Sequence, residues 1–211
     1  MDRFVLTIDG PAGSGKSTIA KLLSKRDGFI HINSGMFYRA IAFILGDNPS
    51  EDELKKLRFS FEVINGEMVL VYNNEKLLGN KLQTEEIGKI ASKIAKKDFV
   101  RNFVNKLIRD TAKSGKFVID GRDCGSVIFP DAQLKVYLDA SLEERAKRRA
   151  TQTNEELKKI KEEIRKRDEQ DKNRDIAPLV VPDKAKIINT TNLSIEDVYQ
   201  RIVNLLEGLK I

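Results

Sequence analysis

The segment Gly10-Pro-Ala-Gly-Ser-Gly-Lys-Ser17 decides how the rest of the chain is interpreted, because it fits the spacing G-x-x-x-x-G-K-S without a mismatch. The apolar run Arg3–Asp9 before it has the composition of a buried strand, and residues 17–23 after it show helical periodicity. A glycine-rich loop between a strand and a helix turns successive backbone N–H groups inward, and the helix N-terminus adds its positive end. The segment therefore predicts a phosphate-binding loop.

This loop predicts binding of a nucleoside triphosphate together with a divalent cation. Lys16 can reach the β- and γ-phosphates, and the hydroxyl of Ser17 is a ligand that Mg²⁺ accepts, directly or through water. The residues predicted to surround the triphosphate are Gly10, Pro11, Ala12, Gly13, Ser14, Gly15, Lys16, Ser17 and Thr18. GTPases, motor ATPases and small-molecule kinases all carry such a loop, so the remaining sequence has to decide among them.

Composition and charge place the 211-residue chain among soluble globular proteins, with 40% hydrophobic and 33% charged residues. The net charge of +6 invites a nucleic-acid interpretation, but residues 143–174 mix 12 Lys and Arg with 9 Asp and Glu and contain no aromatic residue. The apolar run Ala40–Leu45 is too short to span a membrane, and a single cysteine, Cys124, fits a reducing compartment. We expect a cytoplasmic monomer that binds neither nucleic acid nor membrane.

Five short apolar segments alternate with helical ones along the chain, which predicts an α/β fold with a five-stranded parallel sheet covered by helices. These segments are 3–9, 29–33, 117–120, 134–138 and 186–188. Between them, Phe59–Ile64 and Met68–Tyr72 flank Asn65-Gly66, a pair that favours a tight hairpin turn. We interpret the stretch at about 59–80 as a small antiparallel β-meander inserted as a subdomain.

Three further clusters are polar and rich in arginine: residues 33–39, 120–125 and 165–174. The first two follow predicted strands, so the carboxyl ends of those strands bring them close to the phosphate loop. The planar guanidinium binds phosphate oxygens in pairs and keeps its charge at neutral pH. Three arginine clusters around one phosphate loop indicate two phosphorylated substrates that meet end to end.

An acceptor that is itself a phosphate monoester is largely dianionic at neutral pH and needs no general base. The single histidine, His31, lies between two isoleucines and is interpreted as a packing residue. A kinase acting on a sugar hydroxyl would need a positioned carboxylate, and Asp120 or Asp123 could serve, so the chemistry alone leaves that alternative open.

Three motifs carry a resemblance to a known family. They are Ser34-Gly-x-x-Tyr-Arg39, Asp120-Gly-Arg-Asp-x-Gly-Ser-Val-x-Phe-Pro-Asp131, and Arg167-Asp-x-x-Asp-x-x-Arg174 followed by Ala-Pro-Leu. Together with the phosphate loop they resemble the bacterial cytidylate kinases, which are nucleoside monophosphate kinases with a P-loop NTPase-type core. The resemblance covers nearly the whole chain. It implies transfer of the γ-phosphoryl group of ATP to CMP or dCMP with Mg²⁺.

The resemblance also implies residue roles. The CMP phosphate would be held by Arg39, Arg122 and Arg174, with Ser34 lining the same site. These three arginines and Lys16 would be the catalytic cations. The cytosine edge would be read by Ser92, Arg101 and Asp123, and the sugar hydroxyls by Arg167 and Asp171. Arg145 and Arg149 would contact ATP.

The same resemblance divides the chain into three regions. Residues 1–34, 115–148 and 175–211 would form the nucleotide-binding core, residues 35–114 the monophosphate-binding region, and residues 149–174 a helical lid. Within the lid, Asn154 is predicted to cap a helix whose buried face carries Leu157, Ile160 and Ile164.

One residue departs from the family pattern, and two rival functions stay open. Asn33 stands where similar enzymes usually have an aspartate, which removes a charge beside the acceptor site. A UMP/CMP- or adenylate-type kinase would share the same core with a different base preference. An ATP-hydrolysing or nucleic-acid-binding module is the other alternative.

Overall fold

The computed structural model describes residues 2–153 and 156–209. Its strands are β1 (Arg3–Asp9), β2 (Ile30–Asn33), β3 (Phe59–Ile64), β4 (Glu67–Tyr72), β5 (Glu75–Lys76), β6 (Gly115–Gly121), β7 (Leu134–Asp139) and β8 (Lys186–Asn189). Its α-helices are α1 (Lys16–Asp27), α2 (Ser34–Leu45), α3 (Glu51–Lys56), α4 (Gly79–Leu82), α5 (Glu85–Ile94), α6 (Asp98–Thr111), α7 (Leu142–Thr153), α8 (Leu157–Lys172) and α9 (Ile195–Glu207). A π-helical turn spans Cys124–Ile128.

The predicted parallel sheet is confirmed, and β1 lies at its centre. The strand order is β3-β4-β2-β6-β1-β7-β8, and β2, β6, β1, β7 and β8 all run parallel to their neighbours. Alternate residues of β1 enter two different cores: Val5 packs with α2 and α6 on one face, whereas Leu6 and Ile8 pack with α1 and α9 on the other. Helices therefore cover both faces, as a parallel sheet requires.

The β-meander is antiparallel as predicted, and it also joins the edge of the parallel sheet. The backbone N–H of His31 on β2 donates to the carbonyl of Gly66 at 2.9 Å, and His31 is in parallel register with Glu67 on β4. The Asn65-Gly66 turn is as predicted, since both residues have positive φ, 51° and 79°. Unpaired groups at the β2 edge gain partners in this way, so the hairpin extends the sheet.

Helices α7 and α8 form the predicted lid region and pack on a small core of their own. Ile160 and Ile164 are buried there against Ala146 and against Ala12 of the phosphate loop. Leu157, expected on the same buried face, is exposed because it is the first residue of α8 and lies beyond that core. The predicted cap, Asn154, lies outside the described residues. In the part of the chain that the structure covers, we find no helix with the length and apolar character needed to cross a bilayer.

The carboxyl end of β1 fixes the start of the π-helical turn. Asp9 is buried, and its two carboxylate oxygens accept hydrogen bonds from the backbone N–H groups of Cys124 and Gly125 at 2.8 and 2.7 Å. Burial raises the pKa of Asp9 to about 6, although these two backbone bonds act in the opposite direction. The residues just before Cys124 are thereby held at a fixed position beside the phosphate loop.

The edge strand β8 offers a matched test of the core. Ile188 is 6% exposed and packs against α9, whereas its neighbour Ile187 is 62% exposed. We expect Ile188→Ala to lower the free energy of unfolding by about 2–4 kcal/mol, and Ile187→Ala by less than about 1 kcal/mol. Urea unfolding of both variants measures this difference, and equal losses would contradict the orientation of β8.

The raised pKa of Asp9 predicts a pH-dependent stability. Between the ordinary pKa of 3.8 and about 6, the folded protein binds a proton at Asp9 that the unfolded chain releases, so this contribution is present below that range and is lost as the pH rises through 6. Relative to Asp9→Asn, the wild type should lose up to about 3 kcal/mol between pH 4 and pH 7. Urea unfolding of both proteins at four pH values tests this, and a constant difference would be evidence against it.

Candidate active site

The phosphate loop, residues 10–17, connects β1 to α1 as predicted. Gly10 has a φ of 147°, and a Cβ atom there would lie 2.0 Å from the carbonyl oxygen of Leu138, so only glycine fits. The Lys16 ammonium is buried and donates to the carbonyl of Pro11 at 2.6 Å. Burial, followed by the charge of Arg122, lowers the pKa of Lys16 well below its usual value. A negative charge on a ligand beside Lys16 would counteract both the burial and the charge of Arg122, and would favour the protonated ammonium.

Ser17 forms a hydroxyl–carboxylate pair with a residue that sequence analysis did not assign to the binding site. Its Oγ donates to Oδ2 of Asp120, at the end of β6, at 2.7 Å. The amide of Asn33 donates to the same carboxylate oxygen at 3.3 Å and to Ser17 Oγ at 3.2 Å. Burial opposes ionisation of Asp120, but hydrogen bonds from His31 and Ser17 and the charge of Lys16 lower its pKa below the usual value. Asp120 is therefore ionised beside the phosphate loop.

This pair fits a magnesium ion that is completed by nucleotide phosphates. Mg²⁺ commonly takes one or two protein oxygens and several phosphate or water oxygens, so a full set of protein ligands is not required. Consistent with that, no group of three or more His, Cys, Asp or Glu side chains arranged for a metal exists within residues 2–153 and 156–209. Ser17, predicted as the metal residue, therefore has Asp120 as a suitable partner.

Two of the three predicted phosphate-binding arginines meet at one carboxylate. Arg122 Nε donates to Oδ2 of Asp171 at 2.7 Å, and Arg174 is paired with Oδ1 of the same residue. Asp171 is buried, and its pKa is lowered by Arg122 and Arg174 in spite of its burial. The structure thus brings together residues 49 positions apart, from the end of β6 and the end of α8.

Arg167 connects this pair to the remaining cations. Burial, and then the positive charge of Arg122, lower the pKa of Arg167 to about 10, and the charges of Arg39 and Arg149 act in the same direction. The charge of Arg149 likewise adds to burial in lowering the pKa of Arg39. Each of these cations therefore has at least one other of them as a neighbour whose charge it senses. We name Lys16, Arg39, Arg122, Arg149 and Arg167 the cation cluster.

Two of the three predicted base-reading residues lie together, in a buried ion pair. Arg101 on α6 is paired with Asp123, and both side chains are buried. Arg101 also donates to the carbonyl of Ala95 at 3.1 Å and lies 5.8 Å from the centroid of the Tyr38 ring. Ser34 donates to the backbone carbonyl of Asp120 at 2.9 Å, while Ser92 is half-buried on α5.

Several buried polar atoms around the acceptor side have no partner in the described structure. They are Nε of Arg101, Nε of Arg167, Oη of Tyr38 and Oγ of Ser126. Buried donors and acceptors normally have hydrogen-bond partners, because leaving one unpaired costs about 1–3 kcal/mol. Three more such atoms lie on Thr7, Ser24 and Asn105, and a polar ligand on the acceptor side would satisfy some of the first four.

A cleft of about 580 Å³ lies on the other side of the phosphate loop. Its walls include loop residues Gly13–Thr18, Arg149, and a stretch between β8 and α9 that sequence analysis did not assign to binding. That stretch contributes Thr190, Leu193, Ser194 and Ile195. The cleft combines polar loop residues with the apolar side chains of Leu193, Ile195 and Val198, a lining that suits a nucleotide.

Arg145 and Arg149, predicted together as contacts for ATP, have different surroundings. Arg149 is exposed and lines the cleft. Arg145 is buried and donates to the carbonyls of Ala140 and Ala12 at 2.9 and 3.0 Å. It is also paired with Asp168, which accepts from the backbone N–H of Ala12 at 3.1 Å. Arg145 therefore joins the lid to the phosphate loop, and a direct contact with ATP stays a prediction.

Sequence analysis missed Asp120 and Asp9 as parts of the site. Both end an apolar strand, which is a detectable signal, but only the parallel pairing of β1 with β6 places them beside one loop. His31 is buried as predicted, yet its ring is bonded to Asp120 instead of being held by apolar packing alone.

Solved structures with this fold include small kinases of low sequence similarity. A shikimate kinase from Bacteroides thetaiotaomicron matches with a TM-score of 0.50 and 15% identity, covering 97% of this chain and 98% of that one. A gluconokinase from Sinorhizobium meliloti matches with a TM-score of 0.53 and 14% identity, covering 99% and 96%. These likenesses bear on the fold alone and confirm the predicted α/β architecture.

Sequence comparison identifies the family. A protein called cytidylate kinase from Thermosipho melanesiensis is 42% identical over 213 residues, which is 96% of this chain and 96% of that protein. Another, from Thermotoga maritima, is 40% identical over 217 residues with the same coverage. The cytidylate kinase family model matches residues 6–208. Since the phosphate loop, the arginine-rich loops and the lid all lie within this match, the chain belongs to the cytidylate kinase family.

Proposed function

We propose that this protein transfers the γ-phosphoryl group of ATP to CMP or dCMP, giving ADP and CDP or dCDP. A phosphate oxygen of the monophosphate attacks the γ-phosphorus, and the bond from that phosphorus to the oxygen bridging to the β-phosphate breaks. The acceptor oxygen is already ionised, so no proton has to be removed before the attack. The observation that carries the proposal is the meeting of Arg122 and Arg174 at Asp171, next to a phosphate loop whose Lys16 senses the charge of Arg122.

The cation cluster fits the charge that phosphoryl transfer develops. Negative charge spreads over the equatorial oxygens of the transferred group, and fixed cations in a dry site lower the barrier without reorganising. Lys16, at the start of α1, is buried, and Arg122, at the end of β6, is half-buried and close enough for its charge to lower the pKa of Lys16. Asp171 neutralises only part of the positive charge of the cation cluster, so the cluster still favours the binding of an anion.

The cleft on one side of the loop and the Arg101–Asp123 pair on the acceptor side would give the substrates separate places. We infer that ATP lies against Gly10–Thr18 with its base between Arg149 and the Leu193–Ile195 stretch. CMP would lie on the side of Arg101 and Asp123, with its phosphate toward Arg39, Arg122 and Arg174. Ser17 and Asp120 would hold Mg²⁺, which neutralises charge on the β- and γ-phosphates.

The Arg101–Asp123 pair suits cytosine in particular. Asp123 can accept a hydrogen bond from an exocyclic amine, and Arg101 has an unpartnered Nε that can donate to a ring acceptor. Uracil carries a carbonyl where cytosine carries the amine, which would face the Asp123 carboxylate unfavourably. The proposed preference for cytosine over uracil therefore depends on the carboxylate of Asp123.

An ADP-release assay with ATP and each of CMP, dCMP, UMP, AMP and GMP tests the proposal. We expect CMP and dCMP to be the best acceptors, and Asp123→Ala to reduce the preference for CMP over UMP, because the amine loses its acceptor. AMP outperforming CMP would overturn the assignment in favour of an adenylate-type kinase. Equal relative losses for CMP and UMP in Asp123→Ala would remove the base-reading role from that residue.

Arg122→Ala is expected to lower kcat by roughly 10²–10³-fold, because a buried cation is lost where negative charge develops. Arg165→Ala is the matched control: its guanidinium is half-exposed on α8 and pairs with Glu162 and Glu169 at 2.8 and 2.7 Å. The control should keep kcat close to that of the wild type. Steady-state kinetics with saturating ATP and CMP measure both variants, and unchanged turnover in Arg122→Ala would exclude that residue from the reaction.

A further inference from the structure

The single histidine lies between the catalytic carboxylate and the β3–β4 hairpin. His31 is buried, and its Nε2 is 2.6 Å from Oδ1 of Asp120, the oxygen that does not contact Ser17. An ionised carboxylate only accepts hydrogen bonds, so Nε2 carries the proton in this contact. The other oxygen of Asp120, Oδ2, faces the hydroxyl of Ser17. His31 thus occupies one oxygen of Asp120 and leaves the other for the phosphate loop.

The hairpin encloses the opposite side of the same histidine. The His31 backbone N–H is bonded to Gly66, and Nδ1 of its ring is 3.9 Å from Oε2 of Glu67. That distance is one of electrostatic contact, since it exceeds a hydrogen bond. The same Glu67 oxygen is 3.0 Å from Nζ of Lys21 on α1. The hairpin therefore contacts both the histidine and the helix that begins at Lys16.

The turn of the hairpin is also packed tightly on α1. A Cβ atom at Gly66 would lie 2.1 Å from the Oγ of Ser24, at a backbone φ of 79°. Glycine alone allows this approach, so the turn is seated on the helix. Movement of the hairpin would consequently shift the surroundings of His31.

We propose that His31 is a positioning residue for phosphoryl transfer, and that the β3–β4 hairpin is the element that holds it. Without Nε2, the buried Oδ1 of Asp120 would lack its donor, at a cost that favours rotation of the carboxylate. Oδ2 would then lose its fixed direction toward Ser17 and the metal. This inference rests on the proposed function, in which Ser17 and Asp120 serve the triphosphate.

The two other side-chain donors to Asp120, Ser17 and Asn33, cannot replace the histidine, because both reach Oδ2. The amide of Asn33 reaches Oδ2 at 3.3 Å, a longer bond to the oxygen on the opposite side of the carboxylate. Residues that orient a metal-binding side chain typically change metal affinity or activity by 10–100-fold when removed. We therefore expect an effect of that size from His31, transmitted through the metal.

Three substitutions separate positioning from packing. His31→Phe keeps the ring volume without a donor, His31→Gln carries an amide that can reach Asp120, and His31→Asn is polar but shorter. Isothermal titration of ADP with and without Mg²⁺ gives the gain in affinity that the metal provides. We expect His31→Phe and His31→Asn to reduce this gain 10–100-fold with metal-free affinity unchanged, and His31→Gln to restore most of it. The kcat should fall in parallel, with KM for CMP unchanged.

Two substitutions on the hairpin test its part. Glu67→Gln should reduce the Mg²⁺-dependent gain in the same direction as His31→Phe but less. Glu62→Gln is the matched control, because that carboxylate is exposed on β3 and pairs with Lys76 at 2.8 Å, away from His31. It should leave the gain unchanged. An effect of Glu67→Gln no larger than that of Glu62→Gln would remove the hairpin from the proposal.

An unchanged Mg²⁺-dependent gain in His31→Phe and His31→Asn would overturn the proposal. So would equal losses with and without the metal that His31→Gln does not restore, since packing alone then accounts for the histidine. If His31→Phe does not unfold cooperatively on heating, that variant is not properly folded. The difference in Mg²⁺-dependent gain between His31→Asn and His31→Gln then tests the positioning role. ADP binding does not involve CMP, so a wild-type protein that fails to phosphorylate CMP would refute the proposed function and leave this test intact.

Discussion

The structure depends on keeping several positive charges close together in a buried space. Lys16, Arg122 and Arg167 lie near enough to lower the pKa of Lys16 and of Arg167, and little bulk water is available to screen them. Such an arrangement is unfavourable unless rigid elements enforce it. Here the sheet supplies Arg122, α1 supplies Lys16, and α8 supplies Arg167. The stable sheet therefore holds these cations close together. In a flexible chain, their mutual repulsion would move them apart.

A few buried carboxylates limit that repulsion and fix each cation in place. Asp171 joins Arg122 to Arg174, Asp168 joins Arg145 to the phosphate loop, and Asp123 pairs with Arg101. Apart from the local Asp171–Arg174 contact, these pairs join elements that are distant in sequence. The carboxylates thus act as connectors between the core, the lid and the acceptor side, while the cation cluster retains excess positive charge for phosphate.

The phosphate loop is held from several directions. Asp168 and Arg145 bind the backbone of Ala12, Asp120 binds the hydroxyl of Ser17, and Leu138 leaves no room beside Gly10. Through Asp120 and His31, the loop is further linked to a hairpin at the sheet edge. The hairpin extends the sheet and contacts α1, so it belongs to the same rigid unit as the loop. The β3–β4 hairpin is therefore connected, through His31 and Asp120, to the loop that would bind the triphosphate.

The sequence alone determined the strand–loop–helix unit, the parallel sheet, the Asn65-Gly66 turn and the arginine-rich loops, because each depends on local spacing and backbone preference. Only the tertiary structure decided which charges meet. The pairing of Ser17 with Asp120, the attachment of the hairpin to β2 and the inward turn of Arg145 depend on contacts across more than 30 residues. Such contacts follow from how elements pack, and no local pattern in the chain specifies them.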